Sequence, residues 1–162
     1  MKKIILLLFL AVITCKSFAQ IFNPVQWDFS HERVSEGEVD LTFTATIDEG
    51  WYVYSQFCGE GPVATEFTFN NTDSNFSLVG GLDEGTPLNE FDPNFETVLK
   101  YFKNKAVFTQ RILINSKDSF VISGDVYFMT CDKSQCLPPE AVDFSFKISG
   151  NKKLANTARI IE

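Results

Sequence analysis

Cysteine is the residue type in this sequence that offers the most chemistry, and two of the four cysteines stand close together. Cys131-Asp132-Lys133-Ser134-Gln135-Cys136 brackets four polar residues and is followed by Leu137-Pro138-Pro139-Glu140. Two cysteines at this spacing bridge easily across the end of a hairpin once their Cα atoms lie within about 7 Å. Such a pair is either a fixed staple or a dithiol that cycles through a disulfide. A bridge closing so short a loop removes little unfolded-state entropy. In sandwiches of the immunoglobulin type a stabilising bridge instead ties one sheet to the other. The polar residues between the cysteines point to an exposed sulfur pair that another thiol can attack. Asp132 raises the pKa of a neighbouring thiol and Lys133 lowers it. No histidine or helix N-terminus stands by to make a strongly activated thiolate. The pair is therefore expected to react mainly when a docked partner positions or activates it. From the residues alone, staple and electron carrier both stay open.

Other chemistry is poorly supplied. The single histidine, His31, leaves Cys-His and Ser-His-Asp catalysis without a base near the cysteines. Zinc needs about four Cys or His ligands, so no metal is expected. Dinucleotide and nucleotide fingerprints are absent, and no cofactor is expected. Asp83, Glu84 and Glu90 are carboxylates of acidic segments, expected to be solvated. The acidic balance argues against nucleic acid, whose phosphates call for Lys and Arg.

The N-terminus reads as a secretory signal over residues 1–19. Lys2-Lys3 gives the positive start, Ile4 to Ile13 the apolar stretch, and Ser17-Phe18-Ala19 a small-x-small cleavage site. The apolar run is short of the roughly 20 residues that span a bilayer. Val12-Ile13-Thr14-Cys15 is a weak lipobox because Thr14 stands where Gly, Ala or Ser is expected, so lipidation at Cys15 is the lesser alternative. Cleavage before Gln20 leaves 11 basic against 21 acidic residues, a charge of −10. It also leaves three cysteines, Cys58, Cys131 and Cys136, in a compartment that permits disulfides. The expected organisation is one domain over residues 20–150 and a tail over 151–162. Localisation is expected to be periplasmic.

The elements that must position the cysteines are strands. Leu41, Phe43, Ala45 and Ile47 alternate with threonines, the pattern of a half-buried strand. Trp51 and Val53 lie on one face of the next strand, with Tyr52 and Tyr54 on the other. Glu66 to Phe69 and Phe76 to Val79 are shorter strands, and Gly80 to Asn94 reads as a loop. Phe95, Val98, Leu99 and Phe102 have helical spacing, with Asp92 as a possible N-cap and Pro93 in a first turn. Lys103-Asn104-Lys105 is a turn signal, however, and Ala106 to Ile114 is a strong strand. Thr97 to Phe102 is accordingly read as the first arm of a hairpin. Phe120 to Met129 and Ala141 to Ile148 flank the cysteine loop. Seven to nine short strands predict an all-β, immunoglobulin-like antiparallel sandwich. The 17 phenylalanines suit its interior.

Two stretches carry a family resemblance. Val126-Tyr127-Phe128-Met129-Thr130-Cys131 and Cys136-Leu137-Pro138-Pro139-Glu140 resemble the redox hairpin of the N-terminal periplasmic domain of the bacterial thiol:disulfide interchange protein DsbD. Gly50-Trp51-Tyr52-Val53-Tyr54-Ser55-Gln56 resembles that family's tyrosine strand, and the similarity spans Val25 to Ile148. The resemblance implies an immunoglobulin-like, monomeric electron carrier with thiol:disulfide interchange activity. It would be reduced from a transmembrane thiol reductase and pass electrons to thioredoxin-like periplasmic proteins, cytochrome c maturation included. It implies that Cys136 forms the mixed disulfide, that Cys131 resolves it, and that Tyr52 and Tyr54 pack beside the pair. It further implies a cap loop with an acidic-Phe element, for which Glu90-Phe91 is the candidate and Phe95 the alternative lid. The sequence departs from the family pattern in three ways. The cysteines are separated by four residues rather than five, and Cys58 is an additional thiol. No transmembrane or thioredoxin-like part follows, so the donor is expected to be another polypeptide. The competing reading is a non-catalytic β-sandwich binding or assembly module in which Cys131–Cys136 pins a loop.

Overall fold

The computed structural model describes residues 23–70 and 75–152. The signal segment 1–19, Cys15 and most of the tail over 151–162 lie outside the described residues. Among the described residues, eleven strands account for nearly all the regular structure. They are β1 (Val25–Arg33), β2 (Glu38–Ile47), β3 (Tyr52–Tyr54), β4 (Glu66–Asn70), β5 (Phe76–Asp83), β6 (Leu88–Asp92), β7 (Thr97–Lys103), β8 (Lys105–Ile114), β9 (Phe120–Phe128), β10 (Thr130–Cys131) and β11 (Glu140–Ile148). All pairings are antiparallel, in the orders β1-β2-β8-β5, β11-β9-β4 and β10-β3-β7-β6.

The main core joins inward residues of the first two sheets, and period-two alternation decides which residues these are. Val39, Leu41, Phe43, Ala45 and Ile47 of β2 face inward with Ala106, Phe108, Ile112 and Ile114 of β8. Ile122 and Phe128 of β9 and Phe144, Phe146 and Ile148 of β11 meet them. Phe43 sits at the centre, with ring centroids 4.8 Å from Phe67, 4.9 Å from Phe144 and 5.4 Å from Phe146. Tilted and edge-on aromatic packing of this kind adds to the apolar burial. Gly124 makes the crowding possible. A Cβ there would lie 1.9 Å from the Thr68 carbonyl and 2.5 Å from the Phe144 ring.

The fold is the expected immunoglobulin-like antiparallel sandwich, with three local corrections. Helical spacing after Asp92 gives no helix, and Thr97–Lys103 is a strand. Its partner is not β8, however: β7 pairs with β6 and β3, and the chain crosses from the third sheet into the first at Asn104. Asn104 takes a φ of 64°, and its carbonyl accepts from the Ile47 N–H. A short polar side chain tolerates that left-handed geometry, so the turn signal was real and the pairing was not. The expected Gly80–Asn94 loop is largely strand. β5 continues through Gly80-Gly81 with a register irregularity between Val79 and Asp83, and β6 follows. Finally, Glu84 is not solvated but buried.

Candidate redox site

The third sheet positions the cysteines. Its register sets Cys131 of β10 opposite Tyr52 of β3, and Tyr52 opposite Lys103 of β7. Tyr54 pairs in the same way with Tyr101, and Tyr101 with Leu88. Alternation then sorts the side chains. Val53 and Phe102 join the main core. Tyr52, Tyr54, Leu99, Tyr101 and Cys131 turn the other way and build a second, smaller core with Cys58 and Met129. Thr130 fastens β10 to β3 by donating its hydroxyl to the Tyr52 carbonyl at 2.9 Å.

Cys131 and Cys136 form a disulfide, with Cα atoms 4.0 Å apart. The loop between them is closed by the Asp132 carboxylate, which accepts from the Ser134 N–H, the Ser134 hydroxyl and the Gln135 N–H at 2.7–2.8 Å. Those donors, the Ser134 N–H foremost, hold the Asp132 carboxyl below its usual range. The Gln135 carbonyl accepts from the Asp132 N–H, and the Thr130 carbonyl from the Leu137 N–H. The two sulfurs are unequal. Cys131 is fully buried and Cys136 is half-buried, so the exposed pair inferred from the polar spacer is corrected to one buried and one half-buried cysteine.

The Tyr54 hydroxyl lies 3.3 Å from Cys131 Sγ and 2.5 Å from Asp92 Oδ2. Asp92 is buried at the end of β6, and its other oxygen accepts from the Asn94 N–H. The Tyr52 hydroxyl donates to the Asp132 carbonyl at 3.0 Å, and Asn94 Nδ2 donates both to that carbonyl and to the Tyr52 oxygen. Burial, followed by the Asp92 charge, pushes the Tyr52 hydroxyl up to about 12. Burial and the hydrogen bond to Asp92 push Tyr54 up further still. Both phenols are therefore neutral donors at any physiological pH.

Phe95, in the turn between β6 and β7, packs against the second core, as do Cys136, Val63 and Ala64. Its ring meets Tyr54 edge-on at 5.9 Å. Glu90 and Phe91 lie on β6. Glu90 accepts from Tyr101 and Lys103, and Phe91 is 61 % exposed opposite Val98. Tyr52, Glu90, Phe91, Tyr101, Lys103 and Lys133 line a cavity of about 560 Å³ beside the cysteine loop. Cys58 is buried in the second core, and burial raises its thiol pKa. Among the described residues no group of three His, Cys, Asp or Glu is placed to hold a metal.

Sequence reading missed Asp92 and Asn94. Their signal lay in Tyr52 and Tyr54, whose buried hydroxyls must find partners, although nothing local said where those partners would come from.

The sequence matches the family described as thiol:disulfide interchange protein DsbD, N-terminal, over residues 19–148. The chain belongs to that family. No curated protein sequence matches it. Among solved structures, the DsbD N-terminal family fold is shared with the N-terminal periplasmic domain of ScsB from Proteus mirabilis. That similarity has 18% identity and a TM-score of 0.55 over 83% of this chain and 49% of that one, so the chain spans about half of it. The DsbD N-terminal domain in complex with the PilB N-terminal domain, from Neisseria meningitidis, is similar at 18% identity and a TM-score of 0.50, over 82% of this chain and 91% of that one. Among the described residues no helix is long and apolar enough to cross a membrane.

Proposed function

We propose that this DsbD N-terminal family member is a periplasmic dithiol–disulfide carrier. It takes electrons from a transmembrane thiol reductase and delivers them to thioredoxin-like proteins, those of cytochrome c maturation among them. The observation that carries this reading is the asymmetry of the pair, with Cys136 half-exposed and Cys131 buried against the Tyr54 hydroxyl. The complex of a related DsbD domain with the PilB N-terminal domain supports protein partners, and the periplasmic ScsB domain supports the compartment.

Loading begins when a donor thiolate attacks Cys136 Sγ, forming a mixed disulfide and breaking the Cys131–Cys136 bond. The leaving Cys131 thiolate develops beside Tyr54, whose neutral hydroxyl can swing its hydrogen from Asp92 to the sulfur. A hydrogen bond to the charged form favours that form. The donor's second thiolate then attacks its own sulfur in the mixed disulfide and frees Cys136, so two electrons have entered the pair. In delivery, the Cys136 thiolate attacks the partner's disulfide and releases one partner thiolate. Cys131 then attacks Cys136 Sγ, restoring the internal disulfide and releasing the partner's second thiolate. Each released thiolate takes a proton from solvent. Phe95 is the lid that limits access between these events, and Tyr52 with Asn94 fixes the loop at the Asp132 carbonyl.

Substitution of each cysteine tests the reading. Cys131→Ala should accumulate a mixed disulfide through Cys136 with an oxidised thioredoxin-like protein, and Cys136→Ala should not. A Cys131→Ala variant that traps nothing with any thioredoxin-like protein leaves the pinned-loop binding module as the better account. A reduction potential below about −300 mV with slow exchange would point the same way.

A further inference from the structure

Phe95 is held from two sides, and the second side is a loop that neither the cysteines nor the tyrosines explain. After β3 the chain runs through Ser55–Thr65 and places Val63 and Ala64 on the second core. Gly61 in this loop has a φ of 115°, and a Cβ there would come 2.8 Å from the Phe95 ring. The aromatic ring therefore lies directly against loop backbone, a closeness only glycine permits at that φ.

The start of the loop is tied by backbone bonds of Ser55 and Cys58 with Lys100 of β7, and by one buried carboxylate. Glu84, just beyond β5 and 8 % exposed, accepts from the Ser55 hydroxyl at 2.5 Å and from the Gln56 N–H at 2.8 Å. Gln56 Nε2 adds a longer contact to Glu84 at 3.4 Å and a second bond to the Leu82 carbonyl. Ser55 Oγ in turn accepts from the Phe57 N–H. These bonds fix residues 55–57 to a different sheet from the one that carries Cys131. A buried carboxylate with three donors on one short segment is costly unless its partners stay in place.

We infer that Glu84 is a positioning residue for disulfide exchange: by anchoring the Ser55–Thr65 loop, it holds Gly61 against Phe95 and keeps the lid closed over Cys131–Cys136. The inference rests on the carrier reading above for the purpose of the lid, and only on geometry for the coupling. Glu84→Ala leaves the backbone bonds to Lys100 in place but should loosen the loop and Phe95, and speed reduction of the disulfide by dithiothreitol. An increase on the order of fivefold is expected when such a local contact is lost. Glu84→Gln keeps an acceptor for the Gln56 N–H and should restore most of the closed behaviour.

The decisive comparison is made in a Phe95→Ala background. If Glu84 acts through the lid, Glu84→Ala adds no further acceleration once Phe95 is gone. An equal acceleration in both backgrounds, or none in either, overturns the inference. If Glu84→Ala does not fold, Ser55→Ala cuts the shortest of the same contacts and is read by the same criteria. A wild-type chain that never exchanges with thioredoxin-like proteins would remove the carrier reading. The dithiothreitol comparison would still decide the coupling.

Discussion

At the scale of single residues, the site places buried phenols and a buried carboxylate around one sulfur. Tyr52 stacks on Tyr101 at 4.4 Å, and Tyr54 meets Tyr52 edge-on at 5.6 Å. The charged form of each phenol is disfavoured chiefly by burial, and the hydroxyls of Tyr52, Tyr54 and Tyr101 are all pushed above the ordinary tyrosine range. The linkage sign follows. An unfolded tyrosine loses its proton near pH 10 while folded Tyr52 keeps its proton to about 12, so the native state binds more protons across that interval. The stability these groups contribute is fully present below pH 10 and is lost as the pH rises towards 12. Denaturant unfolding followed from pH 8 to 12 should therefore show a midpoint that is flat at first and falls through the upper part of this window. Near-ultraviolet absorbance should show three tyrosinates appearing late or together with unfolding. Normal titration of these hydroxyls in a still-folded protein would refute the buried network.

At the scale of elements, alternation decides what can be read without the fold. Trp51 and Val53 against Tyr52 and Tyr54 already divides β3 between two cores, and the structure keeps that division. β2 and β11 are as plain in the sequence, because each has one buried and one solvated face. The pairing of β6 with β7 was hidden because Pro93 and the spacing of Phe95, Val98, Leu99 and Phe102 imitate a helix start. Tertiary context overrides that local signal, with Glu96 at a φ of 54° closing the turn. The burial of Glu84 was hidden for a different reason: its donors, Ser55 and Gln56, are nearly thirty residues away. Gly124 gives the sharpest test of the strand packing. Gly124→Ala must push β9 from β4 or displace Phe144, since the clash is with backbone and ring. A loss of about 3 kcal/mol or more in urea unfolding is expected, at the upper end for overpacking. A loss under about 1 kcal/mol would mean that the β4–β9 register is looser than described.

At the scale of the whole molecule, the scaffold and the cysteine pair are separate. The main core is built from the facing sheets around Phe43, Phe108 and Phe144, and neither Cys131 nor Cys136 belongs to it. The disulfide joins residues five apart on one side of the third sheet and ties no sheet to another. Loop-closure entropy for so short a ring is worth about 2 kcal/mol, against about 4.7 kcal/mol for a hundred-residue loop. Removing Phe43 from the centre of the aromatic cluster should cost more, about 3–5 kcal/mol for Phe→Ala. A carrier needs this ordering, because it must survive both redox states with the same fold, whereas a staple needs the reverse. The Cys131→Ser/Cys136→Ser variant should therefore unfold cooperatively with an unchanged denaturant slope and a stability within about 2 kcal/mol of the oxidised protein. Phe43→Ala with the disulfide intact should lose more than the double cysteine variant. If the double variant is instead unfolded or loses its cooperative transition, the disulfide is structural after all, and the case for reversible opening at Cys136 fails with it.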